Sequence, residues 1–202
     1  MLVGMETRRI LLIQGHPDPA GGHLCHAIAD AYAEGGGRGG HSLRRLEVAR
    51  LDFPLLRRGA DWQDGAVPTA LEPAQQDILW AEHLVLVFPL WLGDMPALLK
   101  GFLEQVARPG FAFARDPAER GPLGAKALGG RTARVIVTMG MPAMAYRYLY
   151  RAHSVKSLER NILGSVGIAP VHETMIGSVE SLDDRARGRW FARLRKLGAH
   201  AG

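Results

Sequence analysis

Three short stretches of this chain carry residue types that can bind and hold a ligand. The first, Gly15-His16-Pro17-Asp18-Pro19-Ala20-Gly21-Gly22-His23, leads from an apolar run into a helical pattern. Its backbone N–H groups and the helix start behind it can cradle a phosphate, and His16 adds a donor. A glycine and proline turn ahead of a helix is also often only a turn. The second, Phe88-Pro89-Leu90-Trp91-Leu92-Gly93-Asp94-Met95-Pro96, is apolar and aromatic. It offers a flat heterocycle area to stack on and N–H groups for its edge, although such residues equally serve as packing beneath a loop. The third, Thr138-Met139-Gly140-Met141-Pro142-Ala143-Met144-Ala145-Tyr146, is small and apolar and ends in a phenol. Together they point to a planar, phosphorylated cofactor more firmly than any one does.

Other chemistries find no support. The first loop is neither the G-x-G-x-x-G fingerprint nor a P-loop, and it has no Lys-Ser/Thr pair. No G-x-S-x-G occurs, which removes the nucleophile elbow of the α/β-hydrolases. The single cysteine, Cys25, can form neither an internal disulfide nor a Cys-based zinc site, and it reads as a small buried apolar residue. His23, His26 and His41 lack a second thiol or a suitably spaced carboxylate pair, so no metal is expected. Asp18 then reads as a turn and cap residue, and Lys100 with Glu104 as an exposed helix pair.

The elements that must position these loops alternate two periods. Arg9 to Ile13 is a short apolar run stopped at Gln14, as a strand buried on both faces would be. Leu84 to Phe88, Ala133 to Thr138 and the weaker Val171 to Ile176 repeat it, and Ser42 to Val48 alternates like an outer strand. Helical spacing connects them. Leu24, Ile28, Ala31 and Tyr32 predict a helix ended by Gly35-Gly36-Gly37. Ile78 with Leu79, Leu98 through Val106, and Leu158, Ile162, Leu163 and Val166 predict three more. Residues 182–198 form a last helix, opened by Asp183 and Asp184 and closed by Lys196 and Gly198.

Strands separated by helix-length connections give a parallel sheet covered on both faces. The expectation is a single α/β domain over residues 1–202: a flavodoxin-like, doubly wound five-stranded sheet of order 2-1-3-4-5. All three loops then lie outside the carboxyl ends of the strands, where such sheets bind ligands. Residues 108–131 form a long insertion rich in Gly, Pro and charge, of a kind often functional or dimer-forming.

Composition bounds the partners. The 202 residues are 47% hydrophobic and 22% charged, as in ordinary globular domains, which excludes disordered, collagen-like and coiled-coil chains. The longest uncharged apolar stretch, Leu84 to Leu92, is far too short to span a bilayer. The apolar run after Arg9 ends at Gln14, too short for a signal-peptide core, and a cytoplasmic location is expected. A net charge of +5 favours anionic partners, but no block of like charges appears, so a phosphorylated cofactor is preferred to nucleic acid.

The residues also resemble a known family. The order Gly15-His16-Pro17, Phe88-Pro89-Leu90, Pro96-Ala97-Leu98-Leu99-Lys100-Gly101-Phe102, Gly110-Phe111-Ala112-Phe113 and Thr138-x-Gly140 is similar to that of NAD(P)H:quinone oxidoreductases of the DT-diaphorase type. The likeness spans residues 8 to 178, and the block from Phe88 to Gly101 with the Gly-Phe-Ala-Phe after it is most specific. It implies a flavodoxin-like fold, a tightly held FAD or FMN, and a homodimer with sites at the interface. The implied reaction is ping-pong, two-electron reduction of quinones or similar small aromatic acceptors by NAD(P)H.

Carried over by motif, His16, Pro17, Gly22, His23 and Leu24 would hold the flavin phosphate. Pro89, Leu90, Trp91 and Leu92 would line the isoalloxazine, and Thr138, Met139, Gly140 and Met141 would close over its other edge. Tyr146 falls at the spacing of the family's active-site tyrosine. The family's histidine spacing falls on Ala152, leaving His153 as the candidate, and the Tyr146 phenol with a nearby imidazolium would support the reduced flavin. Two departures stand out. Ala20, Gly21 and Gly22 replace the usual hydroxyls on the phosphate, so binding would lean on backbone N–H groups, and Trp91-Leu92 replaces a Gln-Trp pair. The His-Pro turn leans toward FAD. A flavin-binding electron carrier or a regulatory partner subunit without its own turnover is the alternative on the same fold, and Tyr146 with the insertion favours the enzyme.

Overall fold

The apolar runs pair side by side as the periodicity requires. A computed structural model describes residues 6–114 and 126–202, so the middle of the 108–131 insertion lies outside the described residues. Strands β1 (Arg9–Gln14), β2 (Ser42–Glu47), β3 (His83–Pro89), β4 (Thr132–Thr138) and β5 (Val171–Ile176) form one sheet in the order β2-β1-β3-β4-β5. Every pairing is parallel, with Ile13 opposite Leu86 and Val87 opposite Ile136.

Because successive strand residues face opposite ways, the sheet feeds two cores. Leu11, Ile13, Leu86, Phe88 and Val135 pack on one side, and Ile10, Leu12, Val85, Val87 and Ile136 on the other. The helices are α1 (Leu24–Arg38), α2 (Gly59–Gln63), α3 (Glu72–Trp80), α4 (Ala97–Val106), α5 (Ala143–Tyr148), α6 (His153–Ser157) and α7 (Asp184–Ala199). Helices α1 and α7 cover the second core, and α3 to α6 contribute to the first. Asp183 caps α7, its Oδ1 accepting from the Ala186 N–H at 2.6 Å, so this helix opens where the two aspartates predict.

Two glycine expectations need correction. The Gly35-Gly36-Gly37 run does not stop the first helix, which continues to Arg38, and Gly198 lies inside α7 rather than closing it. A Cβ on Gly35 would sit 2.0 Å from the Arg195 carbonyl oxygen, and one on Gly198 equally close to that of Tyr32. These glycines let two helix backbones touch, a tertiary demand that local propensity does not reveal. Leu79, expected on a buried stripe, is exposed while Ile78 is buried.

The fourth helical pattern also resolves differently. A short α6 runs into a π turn, Leu158–Leu163, in which the Gly164 N–H reaches the Glu159 carbonyl at 2.8 Å. The wider turn brings residues five apart onto one face, and Leu158 and Leu163 are both buried.

At the amino ends of the strands, opposite the strand-end loops, lies a buried polar group. His83 Nε2 donates to the Tyr32 hydroxyl at 3.1 Å, that hydroxyl donates to the Gly202 carbonyl at 3.3 Å, and His83 Nδ1 accepts from Thr132 Oγ1 at 2.7 Å. Arg134 donates to Gly202 and, at 2.7 Å, to Thr174 Oγ1. Burial drives the His83 pKa down to about 3, with the nearby Arg134 charge adding to the effect.

Candidate functional site

The loop after β1 is fixed before any ligand is considered. Gly15 continues the ladder, its N–H donating to the Val87 carbonyl at 2.8 Å, and a Cβ there would meet Leu99 at 2.7 Å. The buried Gln14 amide braces the turn from both ends: Nε2 donates to the Cys25 carbonyl at 3.0 Å and Oε1 accepts from the His16 N–H at 3.1 Å. None of the three loop motifs includes Gln14. Its signal was a polar side chain closing a run buried on both faces.

Within the loop Asp18 acts as the turn residue. Its Oδ1 accepts from the Ala20 N–H at 2.9 Å, and its Oδ2 meets His23 Nε2 at 2.7 Å. The His23 hydrogen bond, then that from Ala20, hold the Asp18 carboxyl below the usual range. His16 is buried and its Nδ1 accepts from the Asp18 N–H at 3.1 Å, which leaves Nε2 as the outward donor of a neutral ring. Burial lowers the His16 pKa, and the neighbouring His23 and His26 lower it further. His16 and His23 stack with centroids 4.0 Å apart.

Helix α1 starts directly behind this loop. No side chain caps it and no acidic residue occupies its first turn, so its leading N–H groups retain donor capacity for an anion. Gly21 and Gly22 hold φ of +78° and +79° with open space around them, so glycine is demanded by backbone conformation and not by crowding. From Gly22, His23 and Leu24 a cleft of about 600 Å³ extends between α1 and the β5–α7 region, lined also by Glu180, Arg187 and Phe191. None of these last three was singled out from sequence, because only the α1–α7 contact brings them here.

The second loop turns on itself. Trp91 and Asp94 exchange backbone hydrogen bonds of 2.8 and 3.0 Å around Leu92 and Gly93, both at positive φ. This exposes Leu92 fully and stands Trp91 edge-on to His16, 5.9 Å between centroids, which joins the first loop to the second. The Leu90 N–H donates to the Thr138 carbonyl at 2.7 Å, joining the second to the third, and Pro89 ends β3 beside them.

The third loop contributes backbone more than side chains. Thr138 is buried with its hydroxyl 3.2 Å from Cys25 Sγ, under the start of α1, and Met139 packs in the core. Burial pushes the Cys25 thiol up to about 11, so it stays protonated, as a buried apolar residue would. Gly140 is exposed, and Met141 accepts from the Ser178 N–H at 3.0 Å. Tyr146 is buried with its hydroxyl 2.6 Å from Ser154 Oγ. His153, one residue earlier, is exposed at the first turn of α6. Ser154, which no sequence pattern marked, is the residue the fold brings to the tyrosine. Among the described residues no cluster of His, Cys, Asp or Glu is arranged to hold a metal ion.

Known proteins share this fold. A family model described as flavodoxin-like fold matches residues 8–197. A Haemophilus influenzae protein named as an uncharacterized NAD(P)H oxidoreductase is 25% identical over 181 residues, covering 88% of this chain and 87% of its own. An NAD(P)H:quinone oxidoreductase structure from Methanothermobacter marburgensis superposes with a TM-score of 0.78 at 21% identity, over 96% of both chains. An FMN-dependent NADH-azoreductase from Bacillus anthracis, solved with FMN, gives a TM-score of 0.71 at 16% identity, over 96% of this chain and 98% of its own. The family match covers the whole sheet and all but the end of the last helix, and the chain therefore belongs to the flavodoxin-like fold family.

Proposed function

We propose that this protein is a flavin-dependent oxidoreductase that passes two electrons from NAD(P)H to a quinone or similar small aromatic acceptor, the two substrates using one place in turn. The observation that carries this reading is the convergence of three strand-end loops, tied by Trp91 on His16 and by Leu90 on Thr138, at the mouth of an uncapped helix. The relatives named as NAD(P)H oxidoreductase and quinone oxidoreductase support it.

The residues present fit a flavin phosphate through the leading N–H groups of α1 and the His16 Nε2 donor, without any hydroxyl from Ala20, Gly21 or Gly22. We infer FAD, because the cleft beyond His23 offers Phe191 for a second flat ring and Arg187 for a second phosphate. FMN alone, as in the azoreductase structure, would leave that cleft without a role. When bound, the flavin supplies hydride acceptance and donation. Pro89, Leu90, Trp91 and Leu92 orient its ring system, and Gly140 and Met141 limit water at its other edge. Tyr146 and Ser154 together hold two hydroxyl protons and use one between them, so the pair keeps one O–H to donate where negative charge grows. His153 is the weaker candidate, since its ring is exposed.

We also propose a homodimer. Leu92, Met144, Tyr148, Leu149 and Tyr150 are all more than half exposed at the strand-end side of the sheet, an apolar surface that a second copy would cover. No helix among the described residues is long and apolar enough to cross a membrane.

The test is an absorbance spectrum of the purified protein before and after anaerobic NADPH, with the released cofactor identified by mass. A yellow protein bleached by the nucleotide, releasing FAD, is expected. A colourless protein that takes up neither FAD nor FMN would overturn the reading.

A further inference from the structure

The outer face of α7 carries a line of cations that the site does not use. Arg185, Arg189 and Lys196 are exposed and lie within about 40° of one another around the helix at 3.6 residues per turn, with Arg193 beside them. The line is about 16 Å long at 1.5 Å per residue. Other arginines of the helix are committed: Arg195 holds Glu34 of α1 at 2.5 Å and Arg187 turns to the cleft near Asp184. Among the described residues, Arg185, Arg189 and Lys196 pair with no carboxylate. Arg193 lies over the half-buried Trp190 ring, 5.2 Å from its centroid.

We propose that this face of α7 docks the protein on an anionic lipid surface. The segment 184–199 contains no Ser, Thr, Asn or Gln, the side chains that fix a protein in register on a nucleic acid beside its Arg and Lys contacts. What it offers is charge along the outside of a helix, with Arg193 at its flank, which suits a headgroup layer that attracts without demanding shape. The apolar side of α7 is taken by α1 and the sheet, so the contact is peripheral, made by the charged face alone. It goes beyond the redox reading and is tested without turnover.

The experiment is co-sedimentation of the whole protein with phosphatidylcholine vesicles, with or without one third phosphatidylglycerol, at low and high salt. Binding to the anionic vesicles only, released by 0.5 M salt, is expected. Each basic residue near such a surface contributes roughly fivefold, so Arg185→Gln with Arg189→Gln and Lys196→Gln lowers partitioning roughly 100-fold. The matched variant with Arg185→Lys and Arg189→Lys keeps binding, which separates charge from a folding defect. The proposal fails if the protein ignores anionic vesicles, if the three glutamines leave binding unchanged, or if it binds a DNA duplex at the same salt and not the vesicles.

Discussion

The carbonyl oxygen of Tyr32 in α1 lies 2.0 Å from where a Cβ on Gly198 of α7 would stand, and Gly35 faces Arg195 in the same way. Neither backbone can retreat without separating the helices that enclose the second core and wall the cleft beside the first loop. Gly35→Ala or Gly198→Ala is expected to cost about 3 kcal/mol, at the upper end of overpacking effects. Gly37, in the same glycine run but with nothing within 4 Å of its Cβ position, should instead gain about 0.5–1 kcal/mol as alanine. Urea unfolding of the three variants decides it, and equal destabilisation by all would contradict the helix contact.

His83 predicts a dependence of stability on pH. Its folded pKa of about 3 lies below the ordinary 6.5, so the unfolded chain takes the proton first as pH falls. Stability should therefore be complete above about pH 6.5 and decline between there and pH 3, by up to about 1.4 kcal/mol per unit from this group. In His83→Gln the neutral-pH stability drops and this slope flattens. Urea midpoints at pH 7, 6 and 5 for both proteins are the measurement, and an unchanged slope in the variant would remove His83 as its source.

Tyr146 and Ser154 should behave as one unit. Tyr146→Phe and Ser154→Ala are each expected to slow NADPH-dependent bleaching of the bound flavin by roughly 10–100-fold, the size of one hydrogen bond to a charged group. The double variant should be little worse than either single one, since both changes break the same 2.6 Å contact. Stopped-flow absorbance at unchanged flavin content reads this, and additive losses would show two separate roles.

Arg187→Ala should distinguish the two flavins. The residue lines the cleft beyond the first loop, so its loss is expected to weaken FAD about tenfold and leave FMN unaffected, an effect of the size of one charge-assisted hydrogen bond. Fluorescence titration of apoprotein with each flavin is the check. Equal effects on both would place the second phosphate elsewhere.

The topology was legible in the sequence because strands buried on both faces leave continuous apolar runs, and helix-length gaps between them force parallel crossovers. Ile10 to Ile13, Leu84 to Phe88 and Val135 to Val137 therefore named the sheet, and the glycines and prolines after each named the loops. Contacts between distant elements left no such trace. Whether Gly35 stops a helix or admits another depends on Arg195, 160 positions away in the chain. Likewise only the folded chain brings Trp91 to His16, Cys25 beneath Thr138, and Ser154 rather than His153 to the hydroxyl of Tyr146. Periodicity reports which face a residue turns inward; what it meets there is set by packing across the sheet.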